Sequence, residues 1–226
     1  MLGHDYKDRW EGYCMTVNES LLINHRVLFA NVSYSLNGQQ QGLSRYVIET
    51  GDAMEKNNFD SVVYNGNAVC LGFFEAGFTK GGYEHGQQRQ VHIEKIDSNF
   101  RNLKSAPGVT VIWCALIPSI GRSSVIGWYK NAEVFRLPNK IPYGEIPGRG
   151  DANAGYLYNV ISSKQNCVAL PYSEIIKSEW FAPRQKYYGF GFGQSNMWYA
   201  KEKKSENYVE SITNKINNYS GENLVR

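Results

Sequence analysis

The stretch 109–136, VTVIWCALIPSIGRSSVIGWYKNAEVFR, constrains this chain more than any other part of it. Residues 109–117 are almost continuously apolar and rich in β-branched and aromatic side chains. That composition predicts a strand covered on both faces, and therefore a strand at the centre of a sheet. A Gly-Arg-Ser-Ser turn follows, and then SVIGWYK and AEVFR continue as strand. In a strand, successive side chains point to opposite faces. Trp128 and Tyr129 therefore diverge, and the change from VIG to KNA predicts a bend or bulge near Asn131.

The remaining text is consistent with a sheet. VLFANVSY (27–34), RYVIE (45–49), AVCLGFFEAGF (68–78, interrupted at Gly72), VHIEKI (91–96) and GYLYNVIS (155–162) each read as strands between Gly-, Asn- and Asp-rich connections. The segment 137–155 holds three of the seven prolines and reads as an extended, exposed loop. EIIKSEWF (174–181) contains a short helical turn. The best helix is at 205–219, with Ser205 as N-cap and Tyr208, Val209, Ile212, Ile216 and Tyr219 forming one apolar stripe. SGENLVR, at 220–226, shows no buried-looking anchor. No internal repeat is visible, and 226 residues suffice for one self-contained core. The expectation is a single α+β, β-rich domain over 1–226. Its mostly antiparallel sheet would be curved or closed into a β-barrel, with peripheral helices.

Composition narrows the function classes. A net charge of +3 gives no blanket attraction to nucleic acid, so any such binding must come from a local patch. The four cysteines (Cys14, Cys70, Cys114, Cys167) and four histidines (His4, His25, His85, His92) are scattered, without the clustered spacing of a zinc site. MLGHDYKDRWEG is too polar for a secretory leader and no run reaches the length of a membrane span. Both points predict a cytoplasmic chain with reduced thiols and no membrane partner. No Gly-x-Ser-x-Gly elbow or assembled nuclease motif is present, and the RGD at 149–151 is a chance match. No catalytic set and no cofactor are expected.

Two segments instead combine aromatic rings with side-chain amides, the chemistry that stacks a flat polar ligand and reads its edge. One is GWYKNAEVFR (127–136). The other is GFGQSNMWYA (191–200 with its preceding Gly189 and Phe190), in which glycines alternate with aromatics. That alternation lacks dinucleotide-fingerprint spacing and suggests a strand closely approached by another chain or ligand. Core packing of Trp128 and a hydrogen-bonded structural turn at 194–196 are the bland alternatives. Arg149, Arg184 and Lys186 flank these segments, and Lys201, Lys203 and Lys204 follow the second. Arg184 and Lys186 are the better placed for phosphate contacts.

The order LFANV, VTVIWCA, VIGWYKNAEVFR and GFGQSNMWYA, over residues 27–200, resembles an N-terminal domain of bacterial HNH-type and other modification-dependent restriction endonucleases. That domain is similar to the PUA-like readers of modified bases (EVE, ASCH, YTH and SRA). This sequence departs from it at NVSYSLNG, where a Trp is expected near Tyr34. The resemblance implies a DNA-binding specificity domain in a restriction or phage-defence protein, with a partner nuclease domain in the full-length protein. A methylated or hydroxymethylated base, flipped into an aromatic pocket, would be its target. The expected rings are Tyr34, Trp128, Tyr129 and Trp198. The expected edge-readers are Asn31, Asn131, Gln194, Ser195 and Asn196. Two rivals stand beside this reading. One is a metal-dependent nuclease, with magnesium held by Glu133 or Glu145 together with Asp151. The other is a protein-interaction module that docks a partner on the 208–219 stripe.

Overall fold

The structure, a computed structural model, describes residues 26–32, 34–36, 39–41, 54–77, 89–142 and 155–226. The fold is mixed α/β and strand-rich, with one multi-strand sheet and few helices among the described residues. The described residues form ten strands, in chain order β1 Val27–Asn31, β2 Tyr34–Leu36, β3 Gln39–Gln41, β4 Ser61–Tyr64, β5 Asn67–Gly72, β6 Ser105–Ile117, β7 Arg122–Pro142, β8 Gly155–Ser163, β9 Cys167–Ala169 and β10 Met197–Trp198. The main sheet runs β10-β1-β6-β7-β8-β5-β4, with β9 also paired to β7, while β2 and β3 pair separately. All pairings are antiparallel except β1 with β6.

The apolar run 109–117 lies between β1 and β7, as a strand buried on both faces should. Val109, Val111, Ile112, Trp113, Cys114 and Ala115 are all fully buried. Opposite them, β7 carries the anticipated bulge. Val109 faces Ala132 and Val111 faces Tyr129, so β7 has one residue more than β6 between these pairs. Asn131 takes up the extra residue in the left-handed region, at φ 49°, which Asn tolerates better than most side chains. β5 ends at Gly72 for a steric reason. A Cβ there would stand 2.4 Å from Trp113 Cζ2 and 3.0 Å from Tyr129 Cε2, so glycine admits both rings to the core.

Three helical segments matter below: α1 Tyr172–Ile175, α2 Gln185–Tyr188 and α3 Glu206–Asn218. α3 follows the apolar stripe read from the sequence and buries Val209, Ile212 and Ile216 against the sheet core. Ser205 stands at its N-cap, but its hydroxyl donates backwards to the Glu202 carbonyl (2.7 Å) instead of accepting from the first turn.

Three expectations fail. Residues 91–96 are not a strand: Ile93–Lys95 form a 3₁₀ helix. Ile93 and Ile96 are both buried, and a three-residue interval returns a side chain to one face of a 3₁₀ turn. Residues 137–142 are not loop but the distal part of β7, where Asn139 to Pro142 pair with Tyr158 to Gly155. The segment 220–226 is anchored. Leu224 N–H donates to the Ala169 carbonyl (2.9 Å) and Arg226 N–H to the Phe59 carbonyl (3.0 Å), and Arg226 O accepts from Ser61 N–H (2.7 Å). Asn223 adds a side-chain clamp on Ala169 N–H and the Cys167 carbonyl. The end of the chain thus bridges β9 and the residues entering β4. The expected strand at 45–49 lies outside the described residues. Among the described residues no helix is long and apolar enough to cross a membrane.

A basic aromatic groove as the candidate functional site

The rings expected to wall a pocket are packing residues wherever their side chains are described. Trp128 is 1% exposed and stacks on Trp180 at a 5.6 Å centroid distance, with Tyr219 edge-on at 5.3 Å. Tyr129 is fully buried between Trp113 (5.2 Å) and Phe59 (6.0 Å). Trp128 Nε1 and Tyr129 Oη have no hydrogen-bond partner among the described residues. An unpaired buried polar atom costs roughly 1–3 kcal/mol, which the packing of the rings must offset. Trp198 is buried against Phe29 at 4.5 Å, and its Nε1 donates to the Glu202 carboxylate. Its remaining edge borders a shallow hollow of about 440 Å³ beside Lys95 and Tyr199. These three rings have no free face for a base. Tyr34 lies in β2 opposite Gln41, and its side chain is outside the described residues.

The amides divide similarly. Asn131 is exposed, at the β7 bulge. Ser195 Oγ accepts from Met197 N–H (3.1 Å), and Asn196 Nδ2 donates to the Glu75 carbonyl (3.3 Å). Asn31 N–H donates to the Asn196 carbonyl (2.8 Å). Ser195 and Asn196 therefore fix the approach of β10 to β1. The same section was expected to be strand throughout, yet only Met197–Trp198 is. Gly189 ends α2 at φ 71°, and Gly191, at φ 100°, passes so close to Pro183 that a Cβ would meet its carbonyl oxygen at 2.3 Å. The close approach anticipated from the alternating glycines is made by the protein's own chain.

That packing builds the site. Phe192 N–H donates to the Pro183 carbonyl (3.1 Å) and Gln185 N–H to the Phe192 carbonyl (2.9 Å), closing 183–192 into a compact loop. Phe192 is buried beneath it. The Arg184 guanidinium lies over the Phe192 ring, 5.4 Å from its centre. Its Nε donates to Ser123 Oγ at 2.8 Å and its Nη2 to Asn31 Oδ1 at 3.3 Å. A ring and two neutral acceptors thus hold one cation in place without neutralising it.

Arg184 lies in a groove of about 1530 Å³ between the β6–β7 turn and the 181–194 segment. Arg122, Lys186 and Gln194 line it as well, so Arg184, Lys186 and Gln194 are brought together as anticipated candidates. Arg122 lies over Phe181 (5.5 Å) and Lys186 over Tyr187 (5.6 Å). Tyr187 and Tyr188 project from α2 and are 76% and 48% exposed. Among the described residues no acidic side chain lines this groove. The ion pairs among the described residues engage Arg26, His92, Arg136, Lys177 and Arg226, leaving Arg122, Arg184 and Lys186 without a carboxylate partner there. Sequence reading missed Arg122, Tyr187 and Tyr188. The available signal was QKYY between a basic residue and Gly189, two adjacent rings among polar neighbours with no apolar period to bury them.

The residues named in the rival readings are placed as follows. Glu133 accepts from Ser105 Oγ, while Glu145, Asp151 and Arg149 lie outside the described residues. Among the described residues no three His, Cys, Asp or Glu side chains are grouped to hold a metal ion. The α3 stripe proposed for a partner is already buried in this chain's own core. Cys70, Cys114 and Cys167 are buried free thiols, and burial pushes the Cys114 and Cys167 thiols well above their ordinary range.

Fold and groove together define a strand-rich α/β protein with a cationic, aromatic cleft among its described residues. Comparison with family models, with curated proteins and with solved structures finds no match for the chain.

Proposed function

We propose that this chain is a DNA-binding specificity domain that grips phosphates in the groove and stacks an exposed base on the tyrosines of α2. The observation carrying this is the convergence on two exposed tyrosines of three cations that have no carboxylate partner among the described residues. Phosphate contacts from Arg and Lys supply affinity, and base faces supply the stacking surface. The resemblance of 27–200 to PUA-like readers supplies the finer reading. On it, the base is methylated or hydroxymethylated, the open sheet is a variant of the PUA-like fold, and the chain serves a cytoplasmic restriction or phage-defence protein with a nuclease partner domain. Tyr187 and Tyr188 then replace Trp128, Tyr129 and Trp198 as the rings that meet the base, with Gln194 as edge-reader.

The test is an anisotropy titration with labelled oligonucleotides carrying methylated, hydroxymethylated or unmodified bases, at several salt concentrations. Binding is expected to favour one modified base, to weaken with salt, and to leave the DNA uncut when magnesium is added. Arg184→Met is expected to weaken binding to all sequences alike, as a phosphate contact should. Equal affinity for modified and unmodified DNA overturns modified-base reading. The absence of any salt-dependent binding overturns the DNA-binding proposal as a whole.

A further inference from the structure

We infer that the groove takes an unpaired strand, so that the chain binds single-stranded nucleic acid in preference to duplex. This rests on the reading of the groove as a nucleic-acid site and specifies the state of the ligand within it. The first observation is what the described residues of this wall project. Duplex DNA is commonly read by an α-helix lying in its major groove. The regular helical element on this wall is α2, a single turn of four residues ended by Gly189. Its projecting groups are Tyr187 and Tyr188, the former 76% exposed. The faces of paired bases inside a duplex are covered by their neighbours. A protruding tyrosine therefore stacks only on a base that has left the helix or was never in it.

The second observation is the disposition of charge. Arg122, Arg184 and Lys186 each lie against a different ring, Phe181, Phe192 and Tyr187 respectively. Lys204 Nζ adds a fourth cation just beyond α2, 3.0 Å from where a Cβ of Gly189 would stand. Cations interleaved with rings form a track that follows one phosphate chain while offering stacking faces to its bases, the arrangement that serves single strands. A Lys186 ammonium over one face of Tyr187 leaves the other face for a base.

The chain should be titrated with a 12-nucleotide single strand, with the same strand annealed to its complement, and with an abasic strand of equal length. Single strand is expected to bind at least ~10-fold more tightly than duplex. Its log-affinity should fall with log salt at a slope of about −3, from roughly 0.7 per phosphate for one phosphate at each of the four cations. Tyr187→Ala should weaken single-strand binding by roughly five- to 150-fold, the usual range for one base–ring stack. Tyr187→Phe should retain it, and neither change should shift the melting temperature, because the ring is exposed. Equal or tighter duplex binding overturns the inference while leaving DNA binding intact. Full affinity for the abasic strand, or no effect of Tyr187→Ala, overturns the stacking role and with it the preference. Failure to bind any of the three overturns the inference together with the proposal beneath it.

Discussion

Trp198 separates packing from recognition most sharply, because the aromatic-amide sequence around it invites a pocket and the structure buries it. It is 5% exposed, 4.5 Å from Phe29, and about 6 Å from Phe190, Phe192 and Tyr208. A buried Trp removes about 200 Å² from water, worth ~5 kcal/mol at ~25 cal/mol per Å² and less against a compact unfolded chain. The Glu202 carboxylate that accepts from its Nε1 is on an exposed residue, so water can replace that partner. The expected loss for Trp198→Ala is therefore the usual core value, about 3–5 kcal/mol. In a chain of this size that corresponds to a fall in Tm of roughly 6–20 °C. Trp198→Phe keeps a ring beside Phe29 and should lose about half as much. Urea unfolding followed by far-UV circular dichroism measures both variants without relying on indole emission. A loss below about 1 kcal/mol for Trp198→Ala, accompanied by weaker oligonucleotide binding, would refute this reasoning and restore Trp198 as a recognition ring.

Tyr129→Phe deletes a buried hydroxyl with no partner among the described residues, so stability should stay level or rise by up to ~1 kcal/mol, checked by the same unfolding curves. Burial, and secondarily the charge of Glu75, pushes the Glu55 carboxyl up to about 7 from its ordinary 4.5. Its favourable contribution is thus complete below pH 4.5 and lost as pH rises through 7; Glu55→Gln should melt higher than the wild type at pH 8 and alike at pH 4, by calorimetry across that range. The Arg136 guanidinium donates to the Glu94 carboxylate and to the carbonyls of Phe100, Arg101 and Leu103, so Arg136→Met should lose about 2–4 kcal/mol and deprotect the amides of 98–103 in hydrogen exchange. Burial raises the Glu94 carboxyl, but its own backbone amide and the Arg136 and His92 side chains bring it down to about 2; this contribution is present above pH 4.5 and should be lost as acid denaturation approaches pH 2.

What was legible in the sequence was whatever a local pattern decides. The continuous run at 109–117 could satisfy its side chains only in the middle of a sheet. The polar break after Gly127 had to disturb the ladder, and it does so at Asn131. The 208–219 stripe had one face to bury. Arg184 and Lys186 were legible as cations beside an aromatic segment. The failures share a different cause. Val91, Ile93 and Ile96 fit an alternating strand at the first interval and a 3₁₀ turn at the second, and tertiary packing chose the latter. The prolines at 138 and 142 suggested loop, although a strand tolerates proline where no ladder donor is needed. Rings beside amides suggest a pocket, whereas burial depends on which face of the sheet each residue occupies after the bulges. Tyr187 and Tyr188 carry a weaker signal: QKYY offers no apolar period to bury its rings, but it does not specify the one-turn helix that holds them outward.

The separation of these roles bears on how the groove works. Two residues first read as ligand contacts serve the scaffold: the Asn196 backbone carbonyl joins β1 while its side-chain amide donates to the Glu75 carbonyl, and Asn31 helps hold Arg184, with Ser123 beside it and Phe192 supporting it from below. A cation on a free side chain loses conformational freedom on binding a phosphate, at roughly 0.5–1.5 kcal/mol for a long side chain. Arg184 has already lost it on folding. Its supports are neutral, so its charge is undiminished, and the absence of acidic side chains among the groove-lining residues leaves its field open towards the cleft. Tyr187, by contrast, has only the Lys186 ammonium over its ring and remains free to adapt to a base. If the groove binds nucleic acid as proposed, a rigid charge beside an adaptable ring would position a strand by its backbone and tolerate variation in its bases. Any discrimination between bases must then come from the groove's amides, Gln194 first among them.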